Sequence, residues 1–378
     1  MECKDRIFLA SPHMGGDERN YIDQAFDTNW VAPLGANVTG FERDICDYTH
    51  AKAATALSSG TAALHIALIL AGVGRGDMVF CQDLTFSASA NPIKYVGATP
   101  IFIDSEPQTW NMSPEALDRA IALYGAPKAA VFVHLYGTPA RTAELMDICR
   151  AHHIVTIEDA AEALGSTDGG QSCGTMANYG ALSFNGNKIV TTSGGGMLLC
   201  QDAGDAAHAL KLATQAREDA PWYQHEEIGY NYRLSNICAG IGRGQMRVLE
   251  QRIAQKREIF DRYRAAFDDL PVHWAQELPG CRANRWLSVM MLDEDARVTP
   301  AQILDELERE NIEGRYMWKP MHMQPVFADC AYVTAADRSV SEELFRCGVC
   351  LPSDTKMTQA QQERVIAVIR RLFSHCQP

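Results

Sequence analysis

The sequence predicts an α/β protein in which a large domain with a central, mostly parallel, doubly wound sheet precedes a smaller α/β domain. Three observations support this. From Ala53 to Leu199, short apolar or β-branched runs alternate with helical patterns, the rhythm of strands joined by crossover helices. A length of 378 residues allows two or three domains and a large buried core. Near Leu249 the character changes, and Gln251 to Phe267 reads as a long charged helix, rich in Arg and Lys with interspersed acids. That helix is expected to bridge a domain of residues 1–250 and a second of residues 251–378.

Within residues 1 to about 28, a helical pattern puts Tyr21, Ile22, Ala25 and Phe26 on one face. The run Asn29-Trp30-Val31-Ala32-Pro33-Leu34-Gly35 then breaks it with Pro and Gly. Ala53 to Leu57 reads as a strand, and Ser58-Ser59-Gly60-Thr61 opens an Ala/Leu-rich helix. Such a start is either an ordinary Ser/Thr cap or a place where free N–H groups and the positive dipole end meet a phosphate. Further strands are expected at Val79 to Cys81, Ala98 to Asp104, Ala129 to Leu135 and Ile154 to Ile157, with helices at Pro114 to Tyr124 and Arg141 to His152. His152 and His153 are adjacent and would diverge on a helix. With His134 they form no metal constellation and are read as structural. Gly240-Ile241-Gly242-Arg243-Gly244 invites a dinucleotide-binding reading, but its third glycine comes one residue early and no strand precedes it. Small residues in a tightly packed helix explain it better. The C-terminal part offers a strand-like run from Trp286 to Leu292 and helices at Thr299 to Glu310 and Thr358 to Leu372.

Bulk properties exclude several classes. A formal charge of -13 argues against nucleic-acid binding, which needs clustered Lys and Arg. No run reaches the ~18 apolar residues of a membrane span, and Met1-Glu2-Cys3-Lys4-Asp5-Arg6 lacks the apolar centre of a signal peptide. The twelve cysteines are scattered through a long chain and read as free thiols, so the expected location is the cytoplasm. Cys347-Gly348-Val349-Cys350 is a single CxxC without the second pair that a structural zinc site needs.

The chemistry is concentrated in two stretches. Ala181 to Phe184 reads as a strand running into the turn Asn185-Gly186-Asn187-Lys188, and Gly194 to Leu199 as a turn into the next strand. A lysine at the end of a rigid element suits a Schiff-base role, in which a desolvated amine must reach one fixed carbonyl. An exposed loop lysine is the bland alternative. About thirty residues earlier, Asp159 follows the run Ile154-Val155-Thr156-Ile157, at the strand end where α/β folds place binding groups. A pyridoxal phosphate site needs such a pair: a lysine for the aldehyde and an aspartate for the pyridinium nitrogen.

These stretches, Glu158-Asp159-Ala160-Ala161-Glu162-Ala163-Leu164-Gly165 and Asn185-Gly186-Asn187-Lys188-Ile189, resemble the DegT/DnrJ/EryC1/StrS family of pyridoxal-phosphate sugar-nucleotide aminotransferases. The likeness is strongest to its subgroup making UDP-4-amino-4,6-dideoxy-N-acetyl-glucosamine, the bacillosamine precursor. It runs from Pro12 to Ser353 and implies fold type I with pyridoxal 5'-phosphate as cofactor. It implies an amino transfer from glutamate to C4 of a UDP-linked 4-keto-6-deoxy-N-acetylhexosamine, in the cytoplasm and without metal. It also implies the site. Lys188 would hold the cofactor and Asp159 its ring nitrogen, while Ser59, Gly60, Thr61 and Ser183 would take its phosphate. Phe86 would stack on the ring, although an apolar core position is an alternative nearly as good. Glu162 stands where the family usually has Gln or His beside the ring hydroxyl, which leaves its role open. Asn231, in Gly229-Tyr230-Asn231-Tyr232-Arg233, would reach the cofactor phosphate of a neighbouring subunit, implying a homodimer with shared sites. Asn29, Trp30, Val31 and Ala32 would line the mouth and touch the sugar nucleotide, as would Arg315, Trp318 and, less strongly, His322. GDP- or dTDP-linked acceptors are alternatives, as is a non-catalytic cofactor- or sugar-binding regulator. Sugar 3-dehydratases of the same fold carry histidine in place of the lysine, and this chain keeps Lys188.

Overall fold

The structure, a computed structural model, describes residues 5–375. The first four and last three residues of the two expected domains, with most of the stretch read for a signal peptide, lie outside the described residues. Eight strands form the main sheet, in the order Ala53–Leu57, Gly196–Cys200, Tyr179–Ser183, Val155–Asp159, Ala129–Val133, Met78–Gln82, Thr99–Ile103 and Tyr332–Val333. From Tyr179–Ser183 to Tyr332–Val333 every pairing is parallel. Gly196–Cys200 runs antiparallel to both its neighbours. Helices cover both faces, so central strands such as Ala129–Val133 are buried at every position, and their sequences are continuously apolar instead of alternating.

This topology assembles the site. Ala53–Leu57, Tyr179–Ser183, Val155–Asp159, Ala129–Val133 and Met78–Gln82 all point the same way. The segments after their carboxyl ends therefore emerge along one edge, where open α/β sheets bind ligands. At that edge Gly196 lies against the start of the Gly60–Leu70 helix, and a Cβ on it would fall 2.2 Å from the carbonyl carbon of Ser59. Only glycine allows that approach.

A second, antiparallel sheet holds Val272–His273, Ser288–Leu292, Gly348–Leu351 and Arg315–Tyr316. The helices Leu249–Ala266, Pro300–Arg309 and Gln359–His375 accompany it, and Tyr263, Phe267, Ile303, Leu307, Val365 and Ile369 are packed in one core with it. Strand pairings cross the boundary expected at residue 250. Ile7 is buried in this second core and bridges to Ile312. Tyr332–Val333 returns to the main sheet and covers the edge of Thr99–Ile103, which would otherwise be an open template for pairing.

The helix Asn236–Met246 carries the glycine run, as the packing reading expects. A Cβ on Gly242 would meet the Phe41 ring at 2.5 Å, and one on Gly244 would meet the backbone of Glu18 at 2.6 Å. His134 and Glu158, both fully buried, bond at 2.8 Å. Three expected strands are shorter than their runs, with Ala98 to Asp104 trimmed by one residue at each end to Thr99–Ile103. Ala129–Val133 ends before His134 because Tyr136 turns with φ 52, and Trp286 lies outside Ser288–Leu292 because Arg285 turns with φ 55. A ribbon of Thr167–Asp168, Gln171–Ser172 and Cys281–Arg282 was not expected. Two-residue strands carry no periodic signal.

Candidate active site

Beyond Tyr179–Ser183 the chain turns through Asn185 to Lys188, closed by the Lys188 N–H donating to the Asn185 carbonyl at 2.9 Å. The turn is anchored on both sides of Phe184, whose N–H donates to the Gly195 carbonyl and whose carbonyl accepts from the Thr192 N–H, each at 2.9 Å. The Lys188 side chain is only 13% exposed, which rules out the bland reading of a surface lysine. Its Nζ lies 3.4 Å from Glu162 Oε1 and 4.1 Å from the centroid of the Trp286 ring.

Asp159 ends Val155–Asp159 and is buried. Its Oδ2 accepts from Ser89 Oγ at 2.6 Å and its Oδ1 from the Ala161 N–H at 3.1 Å. Ser89 is held in turn by Thr85 at 2.7 Å. Glu162 Oε2 accepts from the Tyr136 N–H at 2.6 Å. Burial pushes the Glu162 carboxyl up to about 7, and attraction to Lys188 and the Tyr136 N–H offset only part of that. All three ionisable groups, Asp159, Glu162 and Lys188, line one cavity of about 740 Å³.

Ser59, Gly60, Thr61 and Ser183 line the same cavity. Ser59 is the cap of Gly60–Leu70, and its Oγ accepts from the Ala62 N–H at 3.0 Å. The capping reading therefore holds for this side chain, and the same geometry faces the helix start towards Asp159 and Lys188. The Ser58 N–H donates to the Tyr232 carbonyl at 2.7 Å, which fixes the loop before the cap. Phe86 also lines the cavity and is 57% exposed, with its ring 5.6 Å from that of Trp318. It is not a core residue. Arg315 and Trp318 line the cavity too, Arg315 paired with Glu313 at 2.7 Å.

Three expected groups lie elsewhere. His322 is committed to Asp83 at 2.8 Å and Glu342 at 3.1 Å and stacks on Tyr332. Burial opposes its charge, but bonds and attraction to Asp83 and Glu342 outweigh that and raise its pKa. It staples the C-terminal part to the strand Met78–Gln82 and does not line the cavity. Asn29, Trp30, Val31 and Ala32 also lie away from the cavity of their own chain. The Trp30 and Ala32 carbonyls accept from the Asn236 side chain and N–H, leaving Trp30 and Val31 about half exposed. Asn231 is exposed and outside the cavity as well.

Residues 12–370 match the model of the DegT/DnrJ/EryC1/StrS aminotransferase family. The chain belongs to this family. EpsN of Bacillus subtilis, assigned as a pyridoxal phosphate-dependent aminotransferase, is 49% identical over 97% of this chain and 96% of its own. The GDP-perosamine synthase of Caulobacter vibrioides is 34% identical over 97% and 98%. Among solved structures, a DegT/DnrJ/EryC1/StrS aminotransferase from Brucella abortus superposes with a TM-score of 0.87 at 27% identity, covering 94% and 95% of the two chains. The chain is thus a pyridoxal phosphate-dependent sugar aminotransferase of fold type I. The cavity residues fit that cofactor, because one space presents a buried carboxylate, a lysine amine and a helix start with small hydroxyls. These are partners for a ring nitrogen, an aldehyde and a phosphate. Among the described residues no His/Cys/Asp/Glu group could hold a metal ion, and no helix is long and apolar enough to cross a membrane. Burial pushes the Cys350 thiol at the cavity wall up to about 12, leaving it an inert thiol instead of a thiolate.

Sequence reasoning did not single out Ser89 and Tyr136, which bond Asp159 and Glu162, or Trp286, which lines the cavity. Tyr136 supplies the N–H to Glu162, and its hydroxyl accepts from the Trp318 N–H at 3.1 Å. Its φ of 52 is a strain that bulky residues rarely adopt. No local pattern marks any of the three.

Proposed function

We propose that this aminotransferase moves the amino group of glutamate to C4 of a UDP-linked 4-keto-6-deoxy-N-acetylhexosamine, giving the UDP-4-amino sugar for bacillosamine-type glycan synthesis. The observation that carries amino transfer is the convergence of Asp159, Glu162 and Lys188 in one cavity. The UDP sugar is supported by the likeness to that branch, which runs from Pro12 to Ser353. When bound, pyridoxal phosphate supplies an aldehyde for the migrating amine and a ring that takes up electron density.

The residues then have separable tasks. Lys188 would hold the aldehyde carbon, and Asp159, fixed by its bonds to Ser89 and Ala161, would keep the ring nitrogen protonated. Ser59, Gly60, Thr61 and Ser183 would receive the phosphate, Phe86 would cover the ring face, and Glu162 would either meet the ring hydroxyl or steady the Asp159 segment. When its amine is free, Lys188 Nζ would be the general base that takes the proton from the donor carbon and holds it for return on the far side of the transferred nitrogen. Arg315 and Trp318 contact the sugar nucleotide. The chain works as a homodimer, with Asn231 and the Asn29 to Ala32 loop serving the partner's cavity. Exposed Trp222, Tyr223 and Ile228 in the segment leading to Asn231, and exposed Trp30 and Val31, supply apolar surface for that contact.

A GDP-linked acceptor is the second reading, favoured by identities of 32–34% to three GDP-perosamine synthases over 97% of this chain. The two are separated by presenting the aminated enzyme with UDP-, GDP- and dTDP-linked 4-keto sugars. Return of the visible cofactor band with the UDP sugar alone supports the first reading. Return only with the GDP sugar transfers the assignment to the second.

A further inference from the structure

Trp286 belongs to none of the motifs that carry the cofactor reading, yet its ring lies 4.1 Å from the reacting nitrogen of Lys188. It sits in Asn284-Arg285-Trp286, which leads from the Cys281–Arg282 ribbon to Ser288–Leu292. This segment grips both halves of the site. Asn284 Nδ2 donates to the Glu162 carbonyl at 2.8 Å and the Leu164 carbonyl at 2.9 Å, and Asn284 Oδ1 accepts from the Trp286 N–H at 2.9 Å. Left-handed Arg285 turns the next side chain back, and Trp286 Nε1 donates to the Asn187 carbonyl at 2.8 Å, beside Lys188. Trp286 is buried and stacks on Tyr136 at 6.3 Å.

Lys188 Nζ therefore meets an aromatic face from Trp286 and the carboxyl oxygen of Glu162 at 3.4 Å. Both are contacts for an ammonium: the ring quadrupole attracts a cation, and the carboxylate pairs with it. In amino transfer the lysine amine is released, acts on a proton and must return to the same carbon. A four-carbon stem left free would have many rotamers to search, and a fixed resting place removes that search. Burial pushes the Glu162 carboxyl up to about 7, so the hold is not that of a permanently charged ion pair at neutral pH.

We propose that Trp286 and Glu162 form a docking station for the free amine of Lys188, and that Asn284 and Trp286 set its position by gripping the main chain of both partners. Trp286 is on this account a positioning residue for the reaction. The inference rests on Lys188 being the lysine that holds the cofactor.

The test uses cofactor-free full-length protein and an amine-modifying reagent, with modification of the Lys188 peptide followed by mass spectrometry. An ammonium held against the ring and carboxyl is withheld from the reagent. Trp286→Leu should speed modification of Lys188 about tenfold, from loss of a partly buried cation–π contact. Trp286→Phe, which keeps a ring face, should stay within about threefold of the parent. Glu162→Gln, nearly isosteric, should also speed it several-fold, and decides the matter if Trp286→Leu does not fold. Rebinding of pyridoxal phosphate, read from growth of the visible band, should slow in Trp286→Leu and be restored in Trp286→Phe. Parent-like modification rates in folded Trp286→Leu, or in Glu162→Gln where the former does not fold, overturn the docking station. A Lys188→Ala protein that still forms the visible band instead overturns the assignment of Lys188 on which it rests.

Discussion

Glu162 shows how one buried side chain couples the site to stability. Its ordinary value of 4.5 is raised to about 7, chiefly by burial. The folded protein thus keeps a proton that the unfolded chain releases, and stability falls as pH rises from about 4.5 to about 7. In cofactor-free protein, Glu162→Gln should lack that loss and gain on the parent across this window by up to about 3 kcal/mol. Denaturant unfolding of both proteins at pH 5 and pH 8 checks it, and an equal difference at the two pH values contradicts it. The meeting of Lys188 and Asp159 in one cavity was legible because each lies at or just beyond a short apolar run that reads as a strand, and strand ends are where α/β folds place binding groups. Trp286 was not, since its bond to Asn187 spans 99 residues and an apolar run explains a tryptophan without any site. His322 misled for the reverse reason: its partners Asp83 and Glu342 come from other elements, and a loop motif does not reveal them.

At the scale of elements, the Asn236–Met246 helix is pressed onto Glu18–Asp27 and Ala36–Thr49 through its glycines. Gly244→Ala would drive a methyl against the Glu18 backbone, which cannot move aside as a side chain could. It should cost about 1–3 kcal/mol, seen as a lower melting temperature, and an unchanged melting temperature would contradict this packing. The alternation of apolar runs and helices made the parallel sheet readable in order. The antiparallel insertion of Gly196–Cys200 was not, because it depends on glycine letting the strand approach the start of Gly60–Leu70. The strand Tyr332–Val333 was hidden for another reason: two residues have no period, and their place is fixed by the open edge they cover.

At the scale of the whole molecule, the two sheets are tied by exchanged segments, with Ile7 in the second core and Tyr332–Val333 in the first sheet. The proposed sharing of sites between subunits makes a separate prediction. Lys188→Ala and Asn231→Ala proteins, each inactive alone, should regain about a quarter of parent activity when their subunits are mixed, since half the dimers then hold one complete site. No recovery in verified hybrids would place Asn231 outside the partner's site. The most direct test of amino transfer through Lys188 is the absorbance spectrum of the protein with pyridoxal phosphate, before and after glutamate. The parent should show a visible band that bleaches with glutamate and returns with a 4-keto sugar nucleotide, and Lys188→Ala should complete no turnover. A band that no amino donor bleaches, or sustained turnover by Lys188→Ala, would contradict the account.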